Sequence, residues 1–349
     1  MESQGTPGFQ AVEVVQRKKR GLWPALALFV VAPLVAEFLL GDFPLSYLPL
    51  LLVIAPMYGG GALLIREVVR RTGRGWPNIL LLGMAYAIVE EAFTTQSLFN
   101  PNYLHLNLGL LKTAFVPQLG IGGWWTLLML NVHAVWSIAT PIALIEATVP
   151  DRAETTWLRR PGLIVVVCVF LAGIVLSTTI GYRMDHFMAT KAQFAVSAIV
   201  VVALAVLAFA IPKSRKERNP GTVPSAWAVG ATALLFGSAA ELPLLNLGWG
   251  EVAILLGLDL AMLGLVLFWS RRAGWALRHK LALAAGAALA YGWHAFVQKA
   301  VVPTTALNMR MGNAVFLAGA IALIWLGAKR TSAAERVETI TSGELQANT

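Results

Sequence analysis

Ten stretches of this chain, at about 22–40, 46–66, 77–95, 123–145, 162–181, 192–211, 226–245, 250–269, 281–301 and 312–328, are apolar over lengths near those needed to cross a bilayer as a helix. They predict an all-α, polytopic membrane protein of about ten transmembrane helices. The composition agrees, with 57% hydrophobic and 13% charged residues and a mean hydropathy of +0.68, against roughly 25% charged in soluble domains. Arg17 to Arg20 form a basic run ahead of the first stretch, and no small-residue cleavage site follows it. The first stretch is therefore expected to be an uncleaved span.

The net charge of +9 sits in short loops rather than on one face. With sides taken alternately, 22 of the 27 Lys and Arg fall on one side, at residues 17–20, 66–74, 152–160, 213–218, 271–280 and 329–336. Lys112, Arg183, Lys191 and Arg310 fall on the other, and Lys299 lies within a helix. Such asymmetry predicts an even number of spans with both termini cytoplasmic. Because these charges set topology, no nucleic-acid partner is expected and the lipid bilayer is the main one. Residues 1–21 then form a cytoplasmic segment, 22–328 the transmembrane domain and 329–349 a polar, disordered cytoplasmic tail. Arg exceeds Lys, and Ala, Gly, Val and Leu abound, which points to a GC-rich bacterial genome and thus a bacterial inner or plasma membrane. Cys168 is the only cysteine, which excludes an intramolecular disulfide. The long loop from Gln96 to Gly122 is expected to re-enter or coat the outer side of the membrane.

Polar side chains inside apolar runs are costly and need a partner or a function. Glu90 and Glu91 are adjacent in the run ILLLGMAYAIVEEAFT, about 20 Å from the inner surface at 1.5 Å per residue. Counted the same way, Glu37, Glu241, Asp259, His133 and His294 come out at mid to outer depth. Thr126, His133, Ser137 and Thr140 share a helix face, and Ala282, Gly286, Ala290, His294 and Gln298 follow one another at intervals of four. The small residues of this second stripe permit close helix approach. So does Gly59-Gly60-Gly61, which suits backbone contact or a break lining a cavity.

The expected centre is Glu90, Glu91, His133 and His294 around one water-accessible cavity, with Ser137, Gln298, Glu37, Glu241, Asp259 and Tyr291 supporting it or touching substrate. Arg66 with Glu67 reads as an interfacial pair, Glu146 and Glu251 as helix-end groups, and Trp124, Trp125 and Trp249 as an outer aromatic belt. A carboxylate beside neutral imidazoles in a desolvated cavity suits activation of water. Adjacent glutamates on an α-helix point about 100° apart, so one can contact substrate or water while the other bonds to its support. Two His and a carboxylate also suit zinc, but no HExxH-like spacing is present, so neither metal nor cofactor is expected.

The pair Glu90-Glu91, followed on the next helix by HAVWS from His133 to Ser137, resembles the CPBP family of intramembrane glutamate proteases, which includes the CAAX-processing endopeptidases. The family pattern is EExxxR, then FxxxH, then HxxxN. Thr95 stands where its Arg is expected, Met129 where its Phe is, and Ser137 where its Asn is if HAVWS is the last motif. His294 with Gln298 offers a further HxxxN-like element on a much later helix. The resemblance covers about 60 residues and implies a glutamate-activated water, a His-lined oxyanion site and a membrane-embedded peptide substrate. Two other classes use the same residues. A proton-coupled transporter of a small molecule or lipid-like substrate would employ them as a relay, and a non-catalytic scaffold would need them only for packing.

Overall fold

A computed structural model describes residues 21–213, 219–241 and 246–347, which are helical apart from loops and one short hairpin. A helix lies in each of the ten apolar stretches. They are α1 (Trp23–Pro33), α2 (Leu51–Arg71), α3 (Trp76–Ile88), α4 (Gly123–Asn131) continued by α5 (Thr140–Thr148), α6 (Arg160–Asp185), α7 (Lys191–Ala210), α8 (Ala226–Ala240), α9 (Trp249–Ser270), α10 (Leu277–His294) and α11 (Ala306–Ala347). Local sequence marks their starts. Proline occupies the first turn of α1, α3 and α6, where its missing N–H costs nothing. Thr190 and Gln193 cap α7 reciprocally, the Gln193 N–H reaching Thr190 Oγ1 at 3.2 Å and the Thr190 N–H reaching Gln193 Oε1 at 2.9 Å.

Six helical segments among the described residues are long and apolar enough to cross a membrane: Leu45–Arg71, Gly123–Thr148, Arg160–Asp185, Lys191–Ala210, Trp249–Ser270 and Ala306–Val337. Trp23–Phe38 and Ala226–Ala240 are shorter apolar helices. One buried cluster joins α1, α2, α3 and α5 through Leu28, Tyr58, Val69, Ile79 and Ile142. A second joins α5, α10 and α11 through Leu144, Ala288, Tyr291 and Ala320. α6 packs on α2 through Val166 and Phe170, yet α6 and α9 each bury only 6% of their apolar window. They leave Ile164, Val175, Ile254 and Leu260 exposed, as helices facing hydrocarbon do.

Small residues set the closest crossings. A Cβ on Gly59 would stand 2.0 Å from the Phe29 carbonyl oxygen of α1, and one on Gly286 would stand 2.3 Å from the Gly230 carbonyl oxygen of α8. The glycine triplet of α2 is thus backbone contact in an unbroken helix rather than a break. The small-residue stripe of α10 faces α8.

The basic loops meet one another at one end. Arg152 donates to the Gly21 carbonyl at 3.1 Å, Lys280 lies 3.5 Å from Glu154, Arg278 pairs with Glu335 at 2.8 Å and Arg272 donates to the Pro220 carbonyl at 2.9 Å. Two expectations are amended here. Arg66 and Glu67 pair at 2.7 Å and Glu146 stands in the last turn of α5, but all three are at most 1% exposed and form one buried network. Glu146 accepts from Arg66 Nε at 3.1 Å and from Arg70 Nε and Nη2 at 2.9 and 2.7 Å. Glu67 accepts from Arg66 at 2.7 Å and from the Trp157 and Leu158 N–H groups at 2.8 and 3.2 Å. The Arg66 guanidinium also lies 3.4 Å over the Trp157 ring. Together these contacts tie α2 and α5 to the loop before α6. The second correction is that the segment from Thr331 to Ala347 continues α11 instead of forming an irregular tail. Residues 1–20 and 348–349 lie outside the described residues.

The loop from Gln96 to Gly122 folds over the turn between α6 and α7. Gln96 accepts from the Ala189 N–H at 2.7 Å, and Asn100 donates to Asp185 at 2.8 Å. The hairpin of β1 (Phe115–Val116) and β2 (Ile121–Gly122) closes the loop. Leu110 is buried, while Leu106 and Leu108 are exposed.

Candidate functional site

Three π-helical segments interrupt the helices, and each carries part of one polar centre. Leu34–Phe38 extends α1 and holds Glu37, Val89–Thr94 extends α3 and holds Glu90 and Glu91, and Val132–Ala139 joins α4 to α5 and holds His133 and Ser137. A π turn closes i→i+5 hydrogen bonds, here Asp42 N–H to the Glu37 carbonyl at 3.0 Å and Thr95 N–H to the Glu90 carbonyl at 2.8 Å. Such turns are rare and concentrate at functional sites. The extra residue changes the angular spacing, so Glu90 and Glu91 flank a single imidazole.

His133 Nε2 lies 2.8 Å from Glu91 Oε1, and His133 Nδ1 lies 3.1 Å from both Glu90 Oε2 and Ser137 Oγ. All four residues are buried. An ionised Glu91 can only accept, so Nε2 carries a proton, while Nδ1 faces both the Ser137 hydroxyl and the Glu90 carboxylate. The second Glu91 oxygen is held as well. It accepts from Ser97 Oγ, and Thr95 Oγ1 lies 3.1 Å from it. Ser97 in turn accepts from Trp125 Nε1 at 2.9 Å. Glu90 Oε2, by contrast, is buried without any hydrogen bond. The rings of Tyr58 and Tyr86 stand 6.1 and 6.0 Å from the imidazole. The Tyr58 hydroxyl donates to Glu37.

The structure does not bring His294 into this centre, contrary to the expectation of one shared cavity. Its Nδ1 faces Glu241 Oε2 at 3.5 Å, because the stripe of small residues seats α10 on α8. Asp42 lies within electrostatic reach of Glu37 and Glu241 and accepts from Gln298. Tyr291 stacks on Trp136 at 4.6 Å. Asp259 is elsewhere, accepting from Asn131 at 2.7 Å where α9 meets α4. Glu251 stays in the first turn of α9 and accepts from the Leu247 N–H at 3.2 Å.

Sequence reasoning missed Tyr58, Tyr86, Thr95, Ser97 and Trp125. Thr95 was legible only as a departure from a motif, and Trp125 as one of a belt. Glu90, Glu91 and His133 form the one group among the described residues whose donor atoms converge within 4.8 Å in a way that could hold a metal. As arranged, both ring nitrogens already face carboxylates, so coordinating an ion requires one of those contacts to open.

A family model described as an uncharacterized membrane protein family matches residues 26–338. The chain belongs to that family. Neither a curated protein nor a solved structure matches it. Family membership and the exposed apolar faces of α6 and α9 together make this a multi-pass membrane protein with a buried Glu/His cluster.

Proposed function

We propose that this chain is an intramembrane hydrolase, similar in chemistry to the CPBP glutamate peptidases, that activates a water at Glu90 beside His133. The observation that carries the reading is the division of labour between the two glutamates. Both Glu91 oxygens are committed, one to His133 and one to Ser97 and Thr95, so Glu91 orients the imidazole. Glu90 Oε2 is uncommitted beside Nδ1, so it is the acceptor for a proton from water. Thr95, at the position where the resembled pattern has Arg, supplies a neutral support for the second glutamate.

A proton-coupled transporter is the second reading, favoured by a different observation. Glu37, Asp42, Glu241 and His294 form a line of titratable groups leading away from the centre. One experiment separates the two. In proteoliposomes, Glu90→Gln is expected to abolish hydrolysis of quenched peptides with an apolar segment. Loss of pH-driven flux in a protein that hydrolyses nothing would instead favour transport, and an unchanged Glu90→Gln protein sinks both.

We also place the chain in a bacterial inner or plasma membrane with ten spans and both termini cytoplasmic. Cysteines introduced at positions 112 and 310 are expected to react with an impermeant thiol reagent added outside intact cells, and cysteines at 154 and 332 are not. The reverse labelling pattern overturns this topology.

A further inference from the structure

We infer that the Tyr86 hydroxyl is the oxyanion donor of this site. The inference rests on the hydrolase reading above. Four neighbouring hydroxyls are committed: Ser137 to His133, Ser97 to Glu91, Tyr58 to Glu37, and Thr95 between Glu91 and the Glu90 carbonyl, while Tyr103 stands between the glutamates and Asp185. Tyr86 is 4% exposed and its hydroxyl makes no hydrogen bond of normal geometry, the Glu90 carboxylate being the acceptor it approaches. Leaving such a group unpaired costs on the order of 1–3 kcal/mol.

The ring is held firmly in this position. It meets the imidazole edge-on at 6.0 Å and lies 6.2 Å from both Tyr58 and Phe170. Gly61 clears its path, since a Cβ there would stand 2.5 Å from Tyr86 Cε2. Tyr86 and Glu90 are four residues apart, on one face of the helix that leads into the π turn, and Tyr86 lies within electrostatic reach of the Glu90 carboxylate. One buried donor and one buried acceptor, neither holding a hydrogen bond of normal geometry, thus stand side by side. A carbonyl with an attacking water satisfies them together.

In the step this implies, the water oxygen bonds to the amide carbon while its proton passes to Glu90. The carbonyl π pair moves onto oxygen, which accepts a hydrogen bond from the Tyr86 O–H. As the tetrahedral intermediate collapses, the C–N bond breaks and the proton on Glu90 goes to the departing amine. Tyr86 keeps its proton throughout and stabilises charge that exists only near the transition state. His294, which the family resemblance offers as part of an oxyanion site, is occupied elsewhere by Glu241.

The test is Tyr86→Phe in proteoliposomes, assayed on the same quenched peptides beside wild type and Glu90→Gln. Tyr86→Phe is expected to lower kcat about 10²–10³-fold with KM within a factor of two. Its melting temperature should equal or exceed that of wild type, because the variant removes an unpaired buried hydroxyl. A kcat within threefold of wild type, with hydrolysis abolished in Glu90→Gln, overturns the role of Tyr86 and leaves the hydrolase reading standing. A lowered melting temperature overturns it too, by showing that the hydroxyl makes a structural bond. Full activity in Glu90→Gln removes the hydrolase reading and this inference with it.

Discussion

Glu146→Ala is expected to lower the unfolding free energy by about 3–5 kcal/mol, measured by denaturation in detergent micelles. The carboxylate is 1% exposed and accepts three hydrogen bonds from two guanidinium groups. Taking three charges out of water is costly whichever way they are paired, so their net contribution relative to an apolar core is small. Removing only the anion is different. Arg66 retains Glu67 and the carbonyls of Arg152 and Ala153 at 3.2 and 2.9 Å, but Arg70 loses its bidentate partner in a nearly closed site. The asymmetry between a complete pair and half of one sets the size of the effect. Glu154→Ala is the control, since Glu154 meets Lys280 at 3.5 Å with 76% of its side chain exposed, and surface pairs contribute about 0–1 kcal/mol. Equal losses in the two variants would show that the buried network is no more than a surface pair.

The second large effect is on rate. Glu91→Gln is expected to slow hydrolysis by about 10²–10⁴-fold with the fold intact. Glutamine is nearly isosteric, so Ser97 can still bond its side-chain oxygen and the packing need not change. What changes is the proton inventory. A carboxylate only accepts, which obliges His133 to carry its proton on Nε2. The amide can present its NH₂ to Nε2 instead, and the proton then moves to Nδ1, the nitrogen that faces Glu90 and Ser137. The imidazole then holds its proton toward Glu90, on the side where water is to be held. Nitrogen-15 spectra of labelled histidine report the tautomer directly. An unchanged tautomer with an unchanged rate would remove Glu91 from its orienting role.

Much of the helical frame was legible because hydropathy and loop charge are local properties of the chain. The pairing of Glu91 with His133 was also within reach, since the two sit on consecutive helices at similar depth. The position of His294 was not. Ala282, Gly286 and Ala290 mark a face that admits a close neighbour, but spacing on one helix cannot say which helix that is, and α8 occupies it. Arg66 and Glu146 were missed for a related reason. They are 80 residues apart, and each alone looks like a charge at a membrane boundary. Ser97 and Trp125 looked like loop and belt because their roles exist only where the Gln96–Gly122 loop folds back on the end of α3.

The three π turns have a consequence for how this centre is written into the chain. Each accommodates one residue more than an α-helical turn, so the parts of the helix on either side are out of phase with an ideal 3.6-residue winding. Losing a single residue from Val89–Thr94 would rotate everything beyond it by about 100° and carry Glu91 off the imidazole. Span length and apolarity would hardly change. The centre is therefore encoded in helical phase, a quantity to which hydropathy is blind, and two chains with the same hydropathy profile can differ entirely in whether they possess it.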